Sequence, residues 1–351
     1  MIQNSNEAEK EMNQITIRDI ARICGVGVAT VSRAMNDHPD INAATKKRVM
    51  EVVHEYGFVP NISARNLKLA CQRNIAILVK GMSNPFFMRM LGIMEEDIHN
   101  RKYYMEVRHI DEKTDEAEVA IDLLKEKKLR GFIFLGGLTN HSPEKLREIG
   151  IPFVLSTIST ETDSMDFSSV SVDDTRESYK IIDYLIKKGH RRIAFMGARE
   201  KDTSISALRL EGYKKALSDN GIKFDPDLVW YSEDIEDIYS MKNGYKMMSD
   251  KLNGKEKPDF TAIFAIADTM AIGAIRALND AGFSVPNDVS VAGFDGIEMG
   301  SFMIPSLTTI AQPFEQMAHQ TVDILFSEIE SHEAPRKVKM EATLYEGESV
   351  R

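Results

Sequence analysis

Arg33 carries the most specific chemistry in this chain. Its planar guanidinium can donate two parallel hydrogen bonds to O6 and N7 of a guanine, a contact worth roughly 1–3 kcal/mol of base discrimination. Val28 and Ala29 offer small apolar contacts, for example to a thymine methyl, and Thr30 and Ser32 add hydroxyls. These side chains read base edges only if one short helix presents them near its N-terminal, outer side. The flanking residues supply such a helix. Thr16, with Asp19 three residues on, forms a capping box that starts a first helix. Ile17, Ile20, Ala21 and Ile23 give that helix an apolar stripe. Gly25 stands where the chain must turn sharply, and Val26 can plug the junction. A second helix from about Val28 to Met35 then turns Val31, Ala34 and Met35 inward. This is a helix-turn-helix, flanked by Thr16 and Asn36 as further candidate DNA contacts. A third helix is capped by Asn42 and stops at Gly57, which supplies the left-handed C-terminal residue.

Charge supports a nucleic-acid partner once its distribution is read. The 351 residues carry a net −10. Between Gln14 and Arg73, nine basic residues stand against five acidic ones, so this segment is +4 and the remainder −14. A basic head can hold phosphates while an acidic body is kept off them. Two cysteines, Cys24 and Cys71, make no disulfide framework and suit a reducing cytoplasm. No apolar run reaches the length of a membrane span. Residues 1–13 are polar and acidic, and read as a disordered leader rather than a signal peptide.

The stretches T-I-R-D-I-A, A-T-V-S-R, Y-G-F-x-P-N and A-R-x-L-K, between Thr16 and Lys68 in that order, resemble the lactose-repressor (LacI/GalR) family of bacterial transcription regulators. The resemblance runs from about Thr16 to the C-terminus. It implies a homodimer on a pseudo-palindromic, double-stranded operator, with each head reading one half-site. It also implies that Asn61 to Lys68 forms a hinge helix that orders on DNA. Asn61, Ala64, Arg65 and Lys68 would then join the DNA contacts, and Leu67 would be the apolar wedge that kinks the central base pairs from the minor groove. Read alone, the same segment is a plain linker helix with Leu67 packed on the body. The last residues, 346–351, carry no leucine heptads, so the tetramer-forming tail of some relatives is expected to be absent.

From Asn74 onward the pattern alternates strand and helix. Short apolar runs at 75–79, 131–135, 193–196, 261–265 and 289–292 suit parallel strands buried on both faces. Amphipathic stretches at 85–101, 115–127, 174–188, 206–220, 241–252, 269–281 and 312–331 lie between them. The expected organisation is a leader (1–13), a small all-α helix-turn-helix head (14–60), a hinge and linker (61–73), and a body (74–351). The body is expected to be α/β with open parallel sheets. By the resemblance it is a two-lobed, periplasmic-binding-protein-like core, with lobe 1 at about 74–169 and 314–338 and lobe 2 at about 171–311 and 339–351.

Ligands of such cores bind at the carboxyl ends of the strands. Phe86 and Phe87 follow the first strand, where they can stack on a ring or serve as ordinary core. Asp268 and Asp295 follow later strands. Asp268 also opens a helix, where an aspartate is often simply a cap. The resemblance assigns Arg209 to forking onto ligand hydroxyls or carboxylates, with a surface ion pair as its other reading. It makes Asp295 a hydroxyl acceptor and Tyr239 a ring-stacking wall. Gln312 and Phe314 fall at a lobe crossover. The family often has Asn where this chain has Ala267, so one ligand hydrogen bond of some relatives is missing. The set fits a neutral polyol, a small sugar, as effector. No cofactor and no metal is expected.

Other classes fit less well. The chain lacks a G-x-x-x-x-G-K loop, a G-x-S-x-G elbow and metal spacing among its eight histidines. His190, opening a strand, reads as structural rather than catalytic. A solute-binding protein would lack residues 14–73. A non-sugar metabolite remains an alternative effector, as does a protein coregulator. The coregulator would favour basic residues near Asp295–Pro305, where this chain has Glu298, Met299 and Ile304.

Overall fold

A computed structural model describes residues 15–35, 38–58, 73–111, 114–138, 142–158, 167–200, 204–232, 237–253 and 257–351. The leader, Asn36 and the hinge positions Asn61, Ala64, Arg65, Leu67 and Lys68 lie outside the described residues. The chain divides into two units, Met1–Leu69 and Ala70–Arg351.

The first unit holds α1 (Ile17–Cys24), α2 (Val28–Met35) and α3 (Ala43–Glu55). The capping box forms as its residues require. The Thr16 hydroxyl accepts from the Asp19 N–H at 3.4 Å, and the Thr16 N–H donates to Asp19 Oδ2 at 3.1 Å. Gly25 takes φ 62° and turns the chain, so Val26 packs at the junction. Ile20, Ala21, Cys24, Val31, Ala34 and Val49 make the core. Ile23 is a correction: it is 47% exposed, and Cys24, one turn beyond Ile20, takes its place on the buried stripe. Asn42 caps α3 by accepting the Ala44 N–H at 2.9 Å, and Gly57 ends the turn at φ 58°.

The second unit contains two six-stranded sheets. One joins β1 (Asn74–Lys80), β2 (Tyr104–Ile110), β3 (Leu129–Leu135), β4 (Phe153–Ser156), β5 (Ser168–Val172) and β11 (Lys337–Met340) in the order β11-β5-β4-β3-β1-β2. The other joins β6 (Ile193–Met196), β7 (Val229–Trp230), β8 (Ala262–Ala265), β9 (Ser290–Asp295), β10 (Thr308–Ala311) and β12 (Thr343–Tyr345) in the order β12-β10-β9-β8-β6-β7. Every pairing is parallel except that of β10 with β12. The central strands are buried on both faces, as their unbroken Ile, Val and Phe content demands.

Helices cover the sheets: α4 (Pro85–Asn100), α5 (Glu116–Glu126), α6 (Pro143–Glu148), α7 (Asp174–Lys187), α8 (Ile205–Asp219), α9 (Met241–Leu252), α10 (Asp268–Asp280), α11 (Glu298–Ser301) and α12 (Phe314–Ser331). α9 and α10 cross at a glycine pair. A Cβ on Gly244 would lie 2.1 Å from the Met270 carbonyl, and one on Gly273 would lie 2.0 Å from that of Met241. The lobe exchange points shift from expectation. β5 runs through 169–171 to Val172 within the first sheet, and β11 stays with it to Met340.

Candidate functional site

On the first unit, α2 buries Val31 and Ala34 and leaves Val28, Ala29 and Arg33 exposed, with Thr30 and Ser32 half-buried beside them. The exposed face of the second helix therefore carries Val28, Ala29 and Arg33. The Thr16 hydroxyl is committed to the cap, donating to Asp19 Oδ2 at 2.6 Å.

In the second unit a cavity opens where strand carboxyl ends of both lobes converge. Its empty volume, open mouth included, is about 710 Å³. Phe86, Phe87, Arg209, Tyr239, Asp295 and Gln312 all line it. Asp295 ends β9 with φ 121°, a left-handed backbone that a non-glycine residue adopts only under constraint. Its carboxylate accepts from Gln312 Nε2 and, across the lobes, from Asn84 Nδ2, each at 2.9 Å. Burial pushes the Asp295 carboxyl up to about 6, against the opposing pull of Arg209 and the two amides.

Arg209 is 2% exposed, so it is not a surface ion pair. Its Nε donates to Asp174 Oδ1 at 2.8 Å, its Nη1 donates to the Ile266 carbonyl, and its plane lies 3.5 Å from the Phe294 ring centroid. Nη1 stands 3.9 Å from Asp295 Oδ1, which brings the two expected partners together. Burial raises the pKa of Asp174 while Arg209 opposes it.

Tyr239 is held by the close crossing of α9 and α10. Asn243 Nδ2 donates to the Ile238 carbonyl at 2.6 Å and the Thr269 hydroxyl to the Tyr239 carbonyl at 2.5 Å. The Tyr239 hydroxyl lies 3.2 Å from Ser204 Oγ. A second bridge between the lobes runs from Ser83 Oγ to Asp237 Oδ1 at 2.6 Å.

Two expected residues are not brought to the cavity. Asp268 is fully buried beneath it. Its carboxylate is consumed by the Gly296 and Ile297 N–H groups, each at 2.8 Å, and by the Thr309 hydroxyl at 2.6 Å. Phe314 opens α12 and turns its ring under the Arg89 guanidinium at 4.1 Å. His190 lies outside the cavity lining, with Nδ1 3.0 Å from Thr261 Oγ1.

Among the liners that sequence reasoning missed are Lys80, Asn84 and Thr157. Lys80 is buried and donates to Glu116 Oε2 at 2.8 Å, forming part of the wall. Asn84 could be read from Asn-Pro as the cap of α4, but nothing in the sequence shows its reach to Asp295. Thr157 takes φ 70°, and its buried Oγ1 has no hydrogen-bond partner among the described residues. The signal for it is weak because Pro152 interrupts the apolar run that leads into β4, so no strand is read ahead of Thr157. A carboxylate, a guanidinium, two amides and an orphan hydroxyl, set against aromatic rings, can hold a ligand with several hydroxyls and apolar faces. Among the described residues, no group of His, Cys, Asp or Glu could hold a metal ion.

Comparisons with known proteins agree with both units. Residues 16–61 match the profile of "Bacterial regulatory proteins, lacI family", and residues 182–350 that of "Periplasmic binding protein-like domain". The HTH-type transcriptional regulator MalR of Clostridium butyricum is 38% identical over 339 residues, 95% of this chain and 99% of that protein. The structure of the transcriptional regulator CelR–cellobiose complex aligns with TM-score 0.68 and 27% identity, over 95% of this chain and 99% of its own. A LacI family regulator from Enterococcus faecium with bound ribose aligns with TM-score 0.67 and 25% identity, over 79% and 98%.

Proposed function

The chain belongs to the lacI family of bacterial regulatory proteins, whose members are DNA-binding transcriptional regulators and not enzymes, and we propose that it represses carbohydrate-utilisation genes until a small neutral sugar binds between its lobes. The observation that carries the effector reading is the convergence of Asp295, Gln312, Arg209 and the orphan Thr157 hydroxyl on one cavity faced by Phe86, Phe87 and Tyr239. Carboxylate and amide oxygens accept from vicinal hydroxyls, the guanidinium and amide N–H groups donate to them, and the rings cover the apolar face of a sugar. Thermal-shift screening of the full chain against neutral mono- and disaccharides tests this, because a ligand of the folded state raises its stability by mass action. A panel in which only anionic or nucleobase ligands shift the transition overturns the sugar reading. The site of action is the cytoplasm, where operator DNA is found.

Arg33 is proposed as the guanine reader of each head. Arg33→Ala is expected to lower the operator-to-random affinity ratio roughly 5- to 150-fold while non-specific binding persists. Gel-shift titration against both DNAs checks it, and an unchanged ratio removes Arg33 from base readout.

A second copy of the chain is the proposed partner on the operator. Phe302 and Ile304 are 80% and 95% exposed, with Met299 near them, so lobe 2 displays an apolar patch that water covers poorly. The double variant Phe302→Asp/Ile304→Asp is expected to sediment as a monomer. A dimer as tight as the parent places the contact elsewhere.

A further inference from the structure

We propose that Asp268 is the positioning residue of the effector carboxylate: by accepting the Gly296 and Ile297 N–H groups and the Thr309 hydroxyl, it folds the chain after β9 back on itself and holds Asp295 in its left-handed backbone conformation. The inference rests on reading Asp295 as the effector acceptor. Three observations around Asp268 agree with it. Asp268 is 0% exposed, so no ligand touches it. Gly293 makes room for it, since a Cβ there would lie 2.2 Å from Asp268 Oδ1. Gly296, at φ 76°, lets the returning loop press on β10, where a Cβ would lie 2.6 Å from the Ala311 Cα. Thr309 of β10 and the loop at 296–297 thus close on one buried carboxylate from two sides. A strained φ persists only where its surroundings over-determine it, and this cluster is what determines it at Asp295.

The geometry distinguishes hydrogen bonding from charge. Both N–H groups reach Oδ2, and among the described residues Oδ1 accepts only from the Thr309 hydroxyl, which can accept as well as donate. Asp268→Asn therefore keeps all three bonds, its amide NH₂ donating to Thr309 Oγ1, whereas Asp268→Ala loses them all.

The test follows the Asp295 carboxyl itself, in the full chain without any sugar, by NMR of protein labelled at aspartate Cγ. The signal is assigned by its loss in Asp295→Asn. The parent is expected to titrate at about 6. Asp268→Asn should keep the midpoint raised. Asp268→Ala should release the loop and return Asp295 to the ordinary aspartate range, about 4. A merely structural Asp268 would lower the melting temperature in Asp268→Ala and leave the midpoint raised, which overturns the proposal. If the alanine variant does not fold, Asp268→Asn decides alone: a midpoint back in the ordinary range there also overturns it. Because no sugar is used, a failed effector reading and a failed positioning role give separate results.

Discussion

Replacing Arg209 with alanine is expected to destabilise the body by about 3–5 kcal/mol, the usual cost of stranding one member of a buried ion pair. Asp174 would lose its Nε–H donor at 2.8 Å and keep a carboxylate that burial already disfavours. The Ile266 carbonyl would lose its donor too. Arg209→Met with Asp174→Leu should recover most of that stability, because an apolar pair of similar volume removes both buried charges. It should not recover sugar binding, since the guanidinium that lines the cavity is gone. Denaturant unfolding and calorimetry on the same two proteins separate the roles. Native affinity in the double variant would mean that Arg209 serves the fold alone.

Asp295 gives the second large effect, and its sign differs between stability and binding. Its carboxyl titrates at about 6 when folded, above the ordinary value of 3.8. Below 3.8 it is neutral in both states. Between these values the folded chain holds a proton that the unfolded chain has lost. The stability it contributes is thus present at low pH and disappears as pH rises through about 6. Asp295→Asn should therefore be more stable than the parent at pH 8, by up to roughly 3 kcal/mol, with the difference closing toward pH 4. Binding runs the other way. A sugar hydroxyl donates best to the ionised form, so affinity should fall up to about tenfold per pH unit below 6. Calorimetry from pH 5 to 8 reads this directly, and a flat profile would move hydroxyl acceptance to another residue. The empty protein is thus least comfortable at the pH where the site works best, the trade-off expected of binding sites.

Much of the fold is legible in the sequence alone. Capping boxes, Asn caps and left-handed glycines act through neighbours a few residues away, so α1 and α3 could be placed from Thr16, Asp19, Gly25, Asn42 and Gly57. Central strands announce themselves because both faces are buried. Edge strands do not: Tyr104–Ile110 mixes Glu, Arg and His with apolar residues because one side meets water. The interior strands β4 and β5 escape because Pro152 breaks the apolar run before Phe153–Ser156 and serines interrupt Ser168–Val172, so neither reads as an unbroken apolar stretch. At the cavity, Phe86, Phe87, Arg209, Tyr239, Asp295 and Gln312 are legible in the sequence. What escaped was reach: Asn84 and Asp295 are far apart in sequence yet 2.9 Å apart in space. Asp268 looked like a ligand group by position. Only the fold shows that its acceptor capacity is spent on the loop at 296–297 and on Thr309.

The order of strands in the first sheet has a consequence for synthesis. That sheet takes five strands from residues 74–172 and its sixth, β11, from Lys337–Met340, with α12 packed across β3, β4 and β5 only after the second sheet has been nearly completed. A ribosome adding roughly 5–20 residues per second leaves the early strands waiting on the order of ten to thirty seconds for their covering helix. During that interval Ile133, Val154 and Val170 have no α12 to bury them. Chains stalled or truncated before about residue 331 should therefore be bound by chaperones or degraded. Pulse-labelled nascent chains released on either side of α12 would differ sharply in protease resistance.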